Sequence, residues 1–171
     1  MGCYQSNIIV PQLKEEKMRK RIITIILLAF SLIGLFLLMS DKIYFSGKDV
    51  KGIYVKEELR ISTDDHWGIN YCNLLDNAIG GDNKSVQELA LLDYSGDGAP
   101  SYDHGDVLVK LIDRIGEDKF ISALGNKLSA KEKDSIRDYL SVGLEYGDNK
   151  HVGQTINEVF PLVDKFLLAG D

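Results

Sequence analysis

The run from Ile22 to Met39, IITIILLAFSLIGLFLLM, carries no charge over 18 residues and is interrupted only by Thr24, Ser31 and Gly34. As a helix it is ~27 Å long, close to the ~30 Å hydrocarbon core of a bilayer. A chain holding such a run must place it in lipid or bury it on every side, and nothing in it marks one amphipathic face. The expectation is a single transmembrane helix over residues 22–40, with the lipid bilayer as the partner of residues 22–39.

The flanking charges set the expected orientation. Lys14, Lys17, Arg19, Lys20 and Arg21 precede the run, whereas the short stretch after it offers only Lys42 and Lys48. That bias puts residues 1–21 in the cytoplasm and the rest outside, in a periplasmic or extracellular space. The end of the run, Leu37-Leu38-Met39-Ser40-Asp41, lacks a small-x-small cleavage site, which favours an uncleaved signal anchor over a signal peptide starting near Met18. The opening MGCYQS matches a myristoylation pattern, with Cys3 open to palmitate. So short a pattern reads as accidental beside a spanning helix, with Met18 as an alternative start.

Composition bounds what the remainder can do. Five of the 20 basic residues and two of the 26 acidic ones precede Asp41, leaving 15 basic against 24 acidic and a net charge near −9. Such a surface disfavours nucleic acid and anionic headgroups, and it suits a basic protein partner, a cation, or solvation alone. The length fits one domain with a real core. Cys3 and Cys72 fall on opposite sides of the expected membrane and cannot pair, so Cys72, near Trp67, Tyr71 and Leu75, reads as a small apolar side chain.

Past the run, residues 41–61 read as a connector with one short strand at Gly52-Ile53-Tyr54-Val55. Residues 62–171 read as a mainly α soluble domain, an irregular bundle of about six helices. Ser62 or Thr63 caps a first helix whose Trp67, Tyr71, Leu74, Leu75, Ala78 and Ile79 share a face up to Gly80-Gly81. Asn83 or Ser85 opens a second carrying Val86, Leu89 and Leu92. A third runs from about Tyr102 to Ile115, and Phe120 to Leu124 forms a fourth. Ser129 and Glu132 make the clearest capping box, ahead of Ile136, Tyr139, Leu140 and Leu144. The last helix starts either at Thr155, with Glu158 three residues on, or at Phe160, with Pro161 in the first helical position.

Chemistry-bearing patterns are sparse. Asp93-Tyr94-Ser95-Gly96-Asp97-Gly98 matches the opening of an EF-hand calcium loop, with oxygens at its first, third and fifth positions and glycine at its sixth. The bidentate glutamate due at position twelve is His104, and position eight is Pro100, so an irregular Ca²⁺ site would have to draw on Asp93, Ser95, Asp97, Asp103 and Asp106. A helix–helix turn explains the same glycines and aspartates more simply. His66, His104 and His151 lie far apart without metal-ligand spacing, and His104 reads as a surface or capping residue. Ser141-Val142-Gly143 falls inside a helix, where no nucleophile elbow forms, and no phosphate cradle follows a strand. Tyr94, Tyr102, Tyr139, Tyr146 and Trp67 remain as aromatic candidates for a binding surface. The function these observations favour is a membrane-anchored domain that binds or inhibits a protein; the alternative is a calcium or metal module centred on residues 93–106.

Overall fold

The computed structural model describes residues 18–20, 22–28, 31, 47–94 and 98–169, without the side chains of His66 and Trp67. It divides into two units, residues 1–45 and 46–171. In the first, residues 18–20 and 22–28 are helical and exposed, and Thr24 Oγ1 donates to Lys20 O at 2.9 Å. No helix among the described residues is long and apolar enough to cross a membrane. Most of the C-terminal half of the apolar run, like MGCYQS, lies outside the described residues.

The second unit opens with a hairpin, β1 (Lys48–Val50) and β2 (Ile53–Val55), paired antiparallel with Val50 opposite Ile53. Lys51 and Gly52 join the strands with φ of 50° and 89°, the two positive values that a tight two-residue hairpin turn demands. The sequence indicates the second strand alone. Val50, Ile53 and Val55 face inward, and this burial gives three-residue strands a reason to persist.

Eight helices follow among the described residues: α1 (Glu57–Trp67), α2 (Tyr71–Gly80), α3 (Asn83–Ala90), α4 (Ala99–Ile115), α5 (Glu117–Leu124), α6 (Ala130–Tyr146), α7 (Ile156–Val159) and α8 (Pro161–Leu168). The fold is mainly helical, as expected, but the expected helices divide more often. The first is two, because Gly68 turns left-handed at φ 63° to end α1, and the Asn70 side chain accepts from Asn73 N to start α2. Thr63 is therefore no cap. It is buried mid-helix, donating to Leu59 O at 2.7 Å. The cap of α3 is Asp82, whose carboxylate accepts from Ser85 N at 3.1 Å. The last expected helix is also two: Thr155 N–H donates to Glu158 Oε2 to start α7, and α8 begins afresh with Pro161 as its first residue. The Ser129–Glu132 capping box forms as expected.

Helix α4 is the centre of the unit. His104 to Val109, Leu111 and Ile112 are all buried, a span too wide for one stripe. It packs against α1, α2, α5, α6 and β2, most extensively against α6. Gly105 and Gly143 are the reason that pair lies so close. A Cβ built on Gly105 would sit 2.1 Å from Tyr139 O, and one on Gly143 would sit 2.3 Å from the Gly105 carbonyl carbon. The two helices cross with backbone against backbone. Cys72 is buried with a free thiol, and desolvation raises its pKa, in keeping with a packing role.

Candidate functional site

Three features surround the α4–α6 crossing, and each follows from where the helices touch. The first is a buried aromatic cage. Because α4 starts at Ala99 rather than near Tyr102, His104 lies beyond its first turn and is fully buried instead of serving as a surface or capping residue. Its Nδ1 is 2.8 Å from Tyr71 Oη, and the rings of Tyr94 and Tyr139 lie 4.8 and 5.1 Å away. Among the described residues Nε2 meets no hydrogen-bond partner. Desolvation pushes the His104 pKa down to about 3, so the ring is neutral at physiological pH. Tyr94 hydrogen-bonds Thr63 through its hydroxyl and gives its backbone N–H to Tyr139 Oη at 2.6 Å. These contacts tie α1, α2, the residues before α4, and α6 around one ring.

The second feature is an anchored loop. The Asp106 carboxylate is nearly buried and fully engaged: Oδ1 accepts from Asp148 N at 2.9 Å and Asn149 Nδ2 at 2.8 Å, and Oδ2 meets Lys110 Nζ at 2.6 Å. Asn149 Nδ2 also reaches Gly143 O at 2.9 Å, so one amide ties the loop to both long helices. Further along the loop, His151 Nε2 lies 3.0 and 3.1 Å from the two Asp113 carboxylate oxygens, and Nδ1 is 3.2 Å from Gln154 Oε1. This His–Asp pair clamps the loop to the far end of α4.

Three of the five calcium candidates lie among the described residues, each with contacts of its own. Asp103 Oδ1 is 2.6 Å from Lys56 Nζ, and Asp106 is spent on Lys110 and the loop. Asp93 is exposed, and its carboxyl bears on the Tyr139 hydroxyl. Ser95 and Asp97 lie outside the described residues. Among the described residues no group of three or more His, Cys, Asp or Glu is placed to hold a metal ion.

The third feature is an open face. Tyr102 on α4 and Tyr146 on α6 pack with their rings tilted by 52° and 5.4 Å between centroids, and they remain 43% and 62% exposed. The Glu145 carboxylate hydrogen-bonds the Tyr146 hydroxyl and raises its pKa, and the Lys56–Asp103 pair stands one residue from Tyr102. The tyrosines seen in the sequence thus divide into two sets: Tyr94 and Tyr139 build the core cage, Tyr102 and Tyr146 stay in solvent. Beside Glu145, a pocket of about 340 Å³ opens among Arg137, Ser141, Leu144, Glu145, Asp164, and the segment from Gly153 to Asn157 that leads into α7. Sequence reasoning missed this pocket; the spacing of Arg137, Ser141, Leu144 and Glu145 on one face of α6 was the available signal.

No family model matches the chain, and neither a curated protein nor a solved structure does.

Proposed function

We propose that this chain is a membrane-tethered binding module, anchored by residues 22–39, whose exported helical domain captures a basic protein. The observation that carries the reading is the packed, exposed Tyr102–Tyr146 pair beside the crossing of the two longest helices among the described residues. Tyrosine offers a large amphipathic surface with few torsions to freeze, and exposed aromatic clusters are where interface energy concentrates. The helices beneath are locked by backbone contact at Gly105 and Gly143, so the face is organised before a partner arrives. The net charge near −9 from Asp41 onward supports a basic partner, drawn in by long-range attraction and held at the aromatic centre.

The test separates a defined face from bulk charge. Full-length protein in phosphatidylcholine nanodiscs is titrated with an oligolysine peptide and compared with the Tyr102→Ser/Tyr146→Ser variant, whose net charge is unchanged. Capture at the face predicts affinity weakened about tenfold or more, in line with the ~2 kcal/mol that interface hot spots carry. Equal affinity in the two proteins would reduce the interaction to bulk charge and refute the reading.

A further inference from the structure

The pocket beside α6 has its own chemistry. Its base is apolar, formed by the buried Leu144 and Ile156. Its charged groups are two carboxylates and one guanidinium. Asp164 is buried and meets Arg137 Nε through Oδ1 at 3.3 Å, so that pair cancels within the pocket. Glu145 stands two turns further along α6, ~12 Å of helix rise from Arg137, and is exposed at the mouth. Ser141 Oγ donates to Arg137 O at 2.9 Å, which leaves its lone pairs as acceptors.

An entering group therefore meets an excess negative charge and hydrogen-bond acceptors above an apolar base. A small anion is repelled by Glu145, and a purely apolar group strands the acceptors. The complementary chemistry is a cationic fork of donors on an aliphatic stem, as in an arginine side chain. Because Glu145 also holds the Tyr146 hydroxyl, the mouth is continuous with the exposed tyrosine face, and an arginine seated there brings its neighbours onto Tyr146.

We propose that this pocket seats an arginine side chain of the basic partner, with the guanidinium on Glu145 and the stem over Leu144 and Ile156. The inference rests on the reading above that the partner is a basic protein.

The test is calorimetric titration of the full-length chain in phosphatidylcholine nanodiscs with tetra-arginine amide and with tetra-citrulline amide, which keeps the shape and loses the charge. Tetra-arginine is expected to bind about tenfold tighter or more, and Glu145→Gln to remove most of that preference, since a desolvated charge contact at a pocket mouth is worth roughly a factor of ten. Glu145 is exposed, so the substitution leaves the core intact. Glu88→Gln, an exposed position on α3, makes the same change in net charge and should leave the preference in place. Equal losses in the two variants, or equal binding of the two peptides, overturn the pocket. If the tyrosine variant weakens oligolysine while Glu145→Gln leaves tetra-arginine unchanged, the face stands and the pocket falls. The opposite pair of results upholds the pocket and removes the face.

Discussion

Placing one methyl group at the α4–α6 crossing should separate the two helices that organise the domain. In Gly105→Ala the new Cβ would lie 2.1 Å from Tyr139 O and 2.9 Å from Gly143 N, both backbone atoms that no rotamer change can move. Ordinary contact begins near 3.4 Å, so the helices must part by ~1.3 Å at that point. A gap of ~1 Å already forfeits up to about half of each dispersion contact, and Leu108, Tyr139 and Leu140 lie buried along the same two helices. Overpacking of this kind costs ~1–3 kcal/mol, and the rigid backbone places this case at the upper end. Against it stands the ~1 kcal/mol by which alanine outdoes glycine inside a helix. The net loss is ~2 kcal/mol, a fall in Tm of roughly 5–10 °C for a unit of this size. Gly80→Ala is the matched control. It closes α2 with nothing within 4 Å of the added carbon, so alanine there should stabilise by a few tenths of a kcal/mol. Circular-dichroism melts of the two variants should therefore move in opposite directions. An unchanged or raised Tm for Gly105→Ala would refute backbone contact at the crossing.

Other consequences follow from single contacts. His104 is neutral in the fold with a pKa near 3 and recovers an ordinary value near 6.5 when unfolded, so its depressed pKa contributes stability that is complete above pH 6.5 and declines below it. Tyr71 and Tyr139, which face it, have their pKa values raised by burial and stay neutral throughout that range. Urea denaturation should show stability falling by up to ~1.4 kcal/mol per pH unit between pH 6 and 4, and His104→Phe should flatten that slope. An unaltered slope in the variant would assign the acid lability elsewhere. Asp106→Ala strips partners from Asp148 N, Asn149 and Lys110; a loss of ~2–3 kcal/mol and faster hydrogen exchange at Asp148 are expected, and wild-type protection there would contradict the anchor. Glu117 Oε2 accepts from Leu162 N at 2.7 Å and Val163 N at 2.9 Å, capping α8 from a distant helix, so Glu117→Ala should cost ~1–2 kcal/mol in chemical denaturation. No measurable loss would mean that solvent caps α8 equally well.

What the chain discloses in advance is what its neighbours in sequence decide. The Ser129–Glu132 box, the stop at Gly116 and the inward Ile136, Tyr139, Leu140 and Leu144 depend on residues a few positions apart, and each was legible. The break at Gly68 was not, because Trp67, Tyr71 and Leu74 keep helical spacing straight across it; Asn70, capping Asn73, was the overlooked punctuation. Gly105 and Gly143 look like tolerated helix glycines until the partner helix is docked. The contacts of Asp106 with Asp148 and Asn149 span 42 and 43 positions, beyond any local pattern. His104 looked like a terminal residue because Pro100 was read as part of a loop, whereas proline sits comfortably in the first turn of α4. The exposed tyrosines and the pocket needed the crossing itself, since no local pattern tells Tyr102 and Tyr146 from Tyr94 and Tyr139.

The most direct measurement is site-specific photocrosslinking in intact cells, with a benzoylphenylalanine in place of Tyr146 and, as a control, in place of exposed Lys84 on α3. Capture at the tyrosine face predicts a discrete adduct from position 146 alone, with a partner whose cross-linked segment is rich in arginine and lysine. Equal labelling from both positions, or an acidic partner, would contradict it.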